Sequence, residues 1–118
     1  LRKYILKNRY NKKNILLGIF YNEEHIGNIR IHDIENGHGI LGVVINDKFT
    51  GQNIFGKSLD LIQKDLKIKL NINKIYLGVD VRNHNAIKAF KNNGFIKEKF
   101  FFKKIKENQI ILSKKLYF

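Results

Sequence analysis

Residues 51–58 have the composition and spacing of a phosphate-binding loop. Their sequence, GQNIFGKS, fits the nucleotide-binding pattern G-x-x-x-x-G-K-S. In that pattern backbone N–H groups, a lysine and a hydroxyl hold the phosphates and the magnesium ion of a nucleotide. Residues 75–80, IYLGVD, resemble the apolar strand that ends in a magnesium-binding aspartate. As sequence strings, the two segments together are typical of a P-loop nucleotide binder.

The surroundings of this loop argue against a P-loop. In a P-loop the strand leads almost directly into the first glycine, whereas residues 46–50 intervene here. An amphipathic helix is predicted over residues 54–69 because apolar residues recur at helical spacing; they are Phe55, Leu59, Ile62 and Leu66. Gly56 and Lys57 would then lie in the first helical turn and not in a phosphate cradle. The P-loop nucleotide binder is therefore kept only as an alternative function.

The first half of the chain predicts an antiparallel meander of three strands. Residues 1–14 are interpreted as the end of a helix that runs into a polar turn, and residues 15–21 as a strand. Residues 25–34 alternate between apolar and polar side chains, and the Asn36-Gly37 pair that follows them is typical of a hairpin turn. Residues 39–45 form an apolar run that suits a strand buried on both faces.

The second half predicts helices and strands in alternation. After the helix over 54–69, residues 75–81 are a second buried strand, 83–92 a second helix, and 95–104 and 109–115 two closing strands. The order β-β-β-α-β-α-β-β describes an α/β fold with a mixed, mostly antiparallel sheet and a central β-α-β unit. Ligands of open α/β sheets bind at the carboxyl ends of strands, beside the N-terminus of the crossover helix. An anion site is therefore predicted over residues 50–56.

Six segments between residues 15 and 116 carry motifs of a known family: HIGNI at 25–29, LGVVINDK at 41–48, FTGQNIFG at 49–56, YLGV at 76–79, NHNAIKAF at 83–90 and NGF at 93–95. Through them the chain resembles the GNAT superfamily of acetyl-CoA-dependent N-acetyltransferases, and in particular the bacterial branch that includes ribosomal-protein and small-amine acetyltransferases. The last two segments are the most specific, because Asn, Ala and Gly-Phe recur at the spacing of the family's signature.

The resemblance implies an enzyme that transfers the acetyl group of acetyl-CoA to a primary amine, without a metal ion. It also implies that backbone N–H groups at a helix N-terminus hold the pyrophosphate, that Gly51 permits the tight backbone, and that two splayed strands admit the pantetheine arm. The residues it assigns to acetyl-CoA are Val43, Val44, Ile45, Thr50, Gly51, Gln52, Asn53, Ile54, Phe55, Gly56, Lys57, Asn83, Asn85, Lys88 and Phe90.

The chain departs from the family's pattern at three places. In the loop, Thr50 replaces the family's usual Arg or Gln, Asn53 replaces a Gly, and Phe55 replaces a Gly or Ala. Asparagine is the best substitute for glycine in a left-handed conformation. Phe90 replaces the tyrosine that often protonates the leaving thiolate, and Ile40 stands near the position of a frequent carboxylate. A catalytically impaired acyl-CoA-binding module is therefore a second alternative function.

Three residues are the candidate catalytic bases: Asp80, His38 and Asp33. Glu35 and His84 are further candidates beside them. Each has a simpler structural interpretation, since Asp33 and His38 flank a hairpin turn and Asp80 could cap the next helix. Asn83 is likewise either an N-cap or a contact to the pantetheine arm.

Composition limits the partners. The net charge is +13, with no cysteine, so disulfides and thiolate metal sites are excluded. The basic residues are dispersed, so no specific nucleic-acid binding is expected. The positive charge favours an anionic acceptor such as an amino-sugar nucleotide over a polycation. A small amine and a protein N-terminus are the other possible acceptors. With no apolar segment long enough for a membrane span or a signal peptide, we expect a soluble, cytoplasmic protein.

We expect residues 1–118 to form a single domain that lacks the family's first strand and helix. The Phe100-Phe101-Phe102 run is either part of a strand or an exposed apolar edge at a dimer or acceptor site. A homodimer is therefore among the predictions.

Overall fold

The computed structural model describes residues 3–11, 14–49 and 51–116. Within them, seven strands form one sheet in the order β1-β2-β3-β4-β5-β7-β6. The strands are β1 (Lys3–Asn11), β2 (Asn14–Tyr21), β3 (Glu24–Glu35), β4 (His38–Ile45), β5 (Lys74–Asp80), β6 (Ile96–Glu98) and β7 (Gln109–Lys115), and the helices are α1 (Ile54–Leu70) and α2 (His84–Asn92). The mixed, mostly antiparallel α/β fold and its central β-α-β unit are confirmed.

The prediction of a helix over residues 1–14 is wrong, because Lys3–Asn11 is strand β1. It pairs antiparallel with β2, with Tyr4 opposite Ile19 and Tyr10 opposite Ile15. Pairing with an apolar neighbouring strand outweighs the weak helical preference of this segment. The meander therefore has four strands.

The Asn36-Gly37 turn joins β3 to β4 as predicted. Both residues have positive φ, 50° at Asn36 and 81° at Gly37, which is the requirement of the tightest hairpin turns. The register between β3 and β4 places His32 opposite Ile40 and Arg30 opposite Gly42.

Helix α1 begins and ends where the apolar spacing predicts. It buries Leu59, Ile62 and Leu66 against the sheet, where they meet the inward side chains of the central strands, such as Ile75 and Leu112. Asn71 follows the helix in a left-handed conformation, and its backbone N–H donates to the Leu66 carbonyl, which is an ordinary way to end a helix. The core therefore lies on the helical side of the sheet.

The predicted strand over 95–104 is much shorter than expected, since β6 covers Ile96–Glu98 only. The chain then leaves the sheet edge. Phe101 and Phe102 instead pack on Tyr76 of β5, with ring centroids 5.2 and 5.5 Å away. These rings lie on the face of the sheet opposite to the core, which we call the outer face.

In the part of the chain that the structure describes, no helix is both long and apolar enough to cross a membrane.

Candidate active site

Strands β4 and β5 are parallel neighbours that separate part of the way along. Their described pairing runs from His38–Lys74 to Ile40–Tyr76 and stops there. Beyond Ile40, β4 stays paired with β3, and beyond Tyr76, β5 stays paired with β7. The two strands therefore diverge with their facing backbone edges open, which leaves N–H and C=O groups for an extended ligand.

A cleft of about 570 Å³ lies beside this gap. Its volume falls in the range of small-molecule and cofactor sites. It is bounded by the end of β4, the loop before α1, and α2. The lining residues are Val43, Ile45, Phe49, Gly51, Asn53, Ile54, Phe55, Asn85, Ala86, Ala89, Phe90, Asn92 and Asn93.

The loop before α1 is shaped by two left-handed residues. Gly51 has φ 84° and Asn53 has φ 54°. Asn53 is the N-cap residue, and its side chain makes no capping hydrogen bond at this helix end. The backbone N–H of Lys57 donates to the Asn53 carbonyl at 3.1 Å, so the three preceding helical N–H groups have no intrahelical acceptor. A helix end of this kind attracts an anion such as a pyrophosphate.

Asn93, at the end of α2, holds this loop in place. Its Nδ2 group donates to the Oδ1 atom of Asn53 at 3.0 Å and to the Ala89 carbonyl at 2.9 Å. Gly56 fits beneath this contact because it has no side chain: a Cβ atom there would lie 2.6 Å from the Asn53 Oδ1 atom. Gly56 is therefore a close-packing position in the first helical turn.

This geometry does not support the P-loop alternative. Lys57 lies within the first turn of α1 with its N–H in a helical hydrogen bond. The space that a phosphate cradle would need at Gly56 is occupied by two asparagine side chains.

Phe90 lines the cleft within a cluster of phenylalanines. Its ring centroid is 5.3 Å from that of Phe55 and 5.7 Å from that of Phe95. Phe55 therefore points toward the core, as its helical spacing predicts. A phenyl ring holds no acidic proton, so Phe90 shapes the cleft but does not protonate a thiolate.

The cleft brings together about half of the residues that the resemblance assigns to acetyl-CoA. Those that line it are Val43, Ile45, Gly51, Asn53, Ile54, Phe55, Asn85 and Phe90. Those that lie outside the lining are Val44, Gln52, Gly56, Lys57, Asn83 and Lys88. Thr50 lies outside the described residues.

Two of the positions outside the lining illustrate why they lie there. Val44 points to the outer face and is 68% exposed. Asn83 is the N-cap of α2, and its side chain accepts a hydrogen bond from the Ala86 N–H at 3.2 Å. The capping interpretation of Asn83 is thus realised.

Sequence reasoning missed five lining residues: Phe49, Ala86, Ala89, Asn92 and Asn93. The helical spacing of Asn85, Ala86 and Ala89 could have found the cleft face of α2. Asn93 belongs to the NGF segment that supported the resemblance, but its contact with Asn53 depends on the tertiary fold.

Asp80 is paired with Arg82. Arg82 donates from its side chain to both carboxylate oxygens, at 3.1 and 2.9 Å, and from its backbone N–H at 2.8 Å. The side-chain hydrogen bonds, followed by the backbone one, lower the pKa of Asp80 to about 2. A carboxylate with such a low pKa is a poor proton acceptor at neutral pH.

His38 lies in an aromatic environment on the outer face. Its ring centroid is 4.5 Å from that of Phe102 and 5.8 Å from that of Tyr76. Its Nδ1 atom is buried and has no hydrogen-bond partner among the described residues. The contacts of His38 are therefore those of a packed aromatic side chain.

Asp33 interacts with two basic groups. The Lys103 ammonium donates to its Oδ2 atom, and the His32 Nδ1 atom lies 3.1 Å from the same oxygen. The hydrogen bond from Lys103 is the main cause that lowers the pKa of Asp33, and His32 adds to it. Glu35 and His84, the two further base candidates, are exposed.

A further ion pair, which the sequence did not reveal, joins β5 to β6. Lys74 Nζ lies 2.7 Å from Glu98 Oε1, and the buried Ser113 hydroxyl donates to the same oxygen at 2.5 Å. The hydrogen bond from Lys74, and then that from Ser113, lower the pKa of Glu98. This cluster fixes the sheet edge next to the aromatic residues of the outer face.

The sequence of residues 2–95 matches the Acetyltransferase (GNAT) family. No protein with a curated description matches the chain by sequence. Among solved structures, the fold is similar to that of the PaiA N-acetyltransferase from Thermoplasma acidophilum in complex with coenzyme A, with a TM-score of 0.72 and 25% identity over 87% of this chain and 61% of that one.

Two further structures share the fold. The Campylobacter jejuni N-acetyltransferase PseH has a TM-score of 0.71 and 19% identity, over 91% of this chain and 71% of that one. The Vibrio cholerae spermidine N-acetyltransferase in complex with CoA and spermine has a TM-score of 0.73 and 18% identity, over 88% and 66%.

The open gap between β4 and β5 and the uncapped end of α1 are features of an acyl-CoA-dependent transferase, and the chain belongs to the GNAT acetyltransferase family. It is an N-acetyltransferase that takes its acetyl group from acetyl-CoA and transfers it to an amine.

Proposed function

We propose that this enzyme acetylates the primary amine of an anionic acceptor, with an amino-sugar nucleotide as the representative compound. A small amine and a protein N-terminus are the competing acceptors. We assign the reaction to the gap between β4 and β5 because the two strands diverge after the Ile40–Tyr76 pair. The net charge of +13 favours an anionic acceptor, because a positively charged protein attracts anions and repels polycations.

Acetyl-CoA, in this proposal, lies along the cleft with its pyrophosphate at the first turn of α1. The N–H groups of Ile54, Phe55 and Gly56 are the donors, and Gly51 and Asn53 shape the loop that presents them. The pantetheine arm follows the open edge of β4 past Val43 and Ile45, which line the cleft. The thioester then reaches the gap between the strands, and the outer face is where the amine approaches.

The outer face suits an acceptor that has both a negative charge and a planar ring. Arg30 is exposed on β3 and is paired with Gly42 of β4. Gly42 is the first residue of β4 on the outer face after Ile40, the position at which β4 and β5 separate. Tyr76, Phe101 and Phe102 offer ring surfaces on the same face of the sheet. An arginine binds phosphate oxygens well, and aromatic rings stack on a base.

Thiol release with three acceptors tests the proposal: UDP-glucosamine, spermidine and a peptide with a free N-terminus. We expect the highest kcat/KM with UDP-glucosamine and a fall in that value as ionic strength rises. Arg30→Gln should lower kcat/KM for UDP-glucosamine while the acetyl-CoA-induced rise in Tm stays the same. Lys64→Gln is the matched control, since it removes one positive charge from the exposed face of α1. A preference for spermidine would overturn the anionic acceptor.

The impaired-module alternative has one supporting observation, namely that Phe90 offers no proton at the cleft. The same assay separates it from the enzyme. A rise in Tm with acetyl-CoA, with no thiol release for any of the three amines, would support the module. The leaving thiolate of coenzyme A is stable enough to depart before water protonates it, so we expect turnover without this proton.

A further inference from the structure

We propose that His32, oriented by Asp33, accepts the proton that the acceptor's ammonium group must lose before it attacks the thioester. The inference rests on the proposed function, because it concerns the amine side of the same reaction. Neither the sequence motifs nor the resemblance pointed to His32. The pair lies on the outer face, close to the closed end of the gap between β4 and β5.

The contacts of Asp33 determine which nitrogen of His32 carries the proton. Asp33 is held ionised by Lys103, which hydrogen-bonds to its Oδ2 atom. An ionised carboxylate accepts hydrogen bonds and donates none. The His32 Nδ1 atom, 3.1 Å from Oδ2, must therefore be the protonated one. The lone pair of the neutral ring is left on Nε2, which is the atom that accepts a proton.

The register of the sheet places His32 near the reacting group. His32 pairs with Ile40, and Ile40 pairs with Tyr76, in the last row before β4 and β5 separate. Adjacent strands lie about 4.8 Å apart, so a thioester in the gap is roughly two strand spacings from the backbone of His32. A histidine side chain and one bridging water molecule together span that separation.

The backbone at Asp33 is unusual in a way that serves this contact. Asp33 has φ 52°, a left-handed conformation within a strand, and the β3–β4 register shifts between His32 and Glu35. Such bulges change the direction of a side chain and are common beside active sites. Here the bulge turns Asp33 toward the ring of its own neighbour, and Lys103, 70 positions away, holds it there.

Among the described residues, few other charged or titratable groups face His32. Arg30 lies two residues back on the same face of β3, and His38 lies two residues before Ile40 on β4. Lys103 reaches the site through Asp33. The described charges around the ring are thus mostly positive, and Asp33 is the carboxylate that stabilises the imidazolium once it forms.

The proton balance of the step is simple. The ammonium group of the acceptor gives one proton to His32 Nε2, and the freed lone pair forms the N–C bond with the thioester carbonyl. The C–S bond then breaks, and the thiolate takes up the second proton from the amide nitrogen through solvent. His32 returns its proton to water, so the net products are the acetamide, the free thiol and one proton.

Two variants test the proposal with UDP-glucosamine as acceptor. His32→Gln should lower kcat by about 100-fold, the lower end for a lost general base, with an unchanged KM for acetyl-CoA. Asp33→Asn keeps the left-handed backbone, because asparagine adopts it readily, but its amide can donate to Nδ1 and favour the wrong tautomer. We expect Asp33→Asn to lower kcat by at least about tenfold.

Nitrogen-15 NMR of the histidine side chains provides a readout that does not depend on turnover. The wild type should show His32 with Nδ1 protonated, and Asp33→Asn should shift the ring to the Nε2-protonated form. His25→Gln is the matched control: His25 lies on the same strand and bonds Asn28 at 2.8 Å, and its loss should leave kcat and the His32 signals unchanged.

The outcomes separate this proposal from the proposed function. A folded His32→Gln variant with wild-type kcat, or a His32 ring protonated on Nε2 in the wild type, overturns the role of His32 alone. Transfer to spermidine or to the peptide, reduced in His32→Gln, supports the role of His32 while the anionic acceptor fails. No thiol release by the wild type with any amine overturns both.

Discussion

Asn53 and Asn93, 40 positions apart, are joined by a hydrogen bond of 3.0 Å between their side-chain amides. Asn53 is the left-handed N-cap of α1, and Asn93 follows the last residue of α2. The bond therefore ties the loop that presents the first helical N–H groups to the helix on the far side of the cleft. It also explains how this loop keeps its shape with asparagine at a position where the family usually has glycine.

Asn93→Ala should weaken acetyl-CoA binding without changing the chemical step. One hydrogen bond contributes about 1 kcal/mol, so we expect the KM for acetyl-CoA to rise about fivefold while kcat stays the same. Steady-state kinetics with varied acetyl-CoA measure both. Asn92→Ala is the control, because Asn92 also lines the cleft but takes no part in the bond. An equal rise in KM for both variants would contradict a specific role for Asn93.

Gly51→Val should impair acetyl-CoA binding more than Lys57→Ala does. Gly51 has φ 84°, and a Cβ atom there would meet nothing within 4 Å, so the penalty comes from the backbone conformation and not from a clash. A left-handed conformation costs an L-residue roughly 1–2 kcal/mol, and more when the side chain is β-branched. Lys57 lies outside the cleft lining. The Tm shift at a fixed acetyl-CoA concentration compares the variants, and an equal loss from both would show that side-chain charge matters as much as backbone donors.

Local sequence signals were sufficient wherever a pattern was long and regular. The helical spacing of Phe55, Leu59, Ile62 and Leu66 predicted α1, and the Asn36-Gly37 pair predicted the β3–β4 turn. Strand β1 was missed because its identity depends on pairing with β2. The strand after α2 was predicted too long because the phenylalanines that suggested it pack on Tyr76 instead.

In the candidate site, too, the features encoded by neighbouring residues were predictable and the long-range contacts were not. The loop 51–56 was recognisable from the chain alone, since glycine, a left-handed asparagine and a helix start follow one another in sequence. The Asn53–Asn93 and Asp33–Lys103 contacts span 40 and 70 positions, and no local pattern encodes such separations. His32 was missed for this reason: its role depends on a carboxylate whose orientation is fixed by a distant lysine.

Glu98 should make folding stability depend on pH in the acid range. Lys74 and Ser113 lower its pKa below the usual 4.5, so the stabilisation is complete above about pH 4.5 and is lost as the pH falls through the lower folded value. We expect Glu98→Gln to cost about 1 kcal/mol at neutral pH and to flatten this acid dependence. Urea unfolding at a series of pH values measures it. Glu107→Gln, at an exposed glutamate of the β6–β7 loop, should leave the slope intact; identical slopes for wild type and Glu98→Gln would exclude the effect.

Asp80→Asn should leave acetyl transfer nearly unchanged. Arg82 donates to both oxygens of the Asp80 carboxylate and lowers its pKa to about 2, so at neutral pH the group is ionised, already hydrogen-bonded and too weak a base to take a proton from an ammonium group. The pair is exposed on the Arg82 side, and exposed ion pairs contribute little to stability. We therefore expect kcat and its pH profile from pH 6 to 9 to match the wild type within about twofold, in contrast to His32→Gln. A fall of 100-fold in a folded Asp80→Asn variant would instead make Asp80 the proton acceptor and leave His32 without that role.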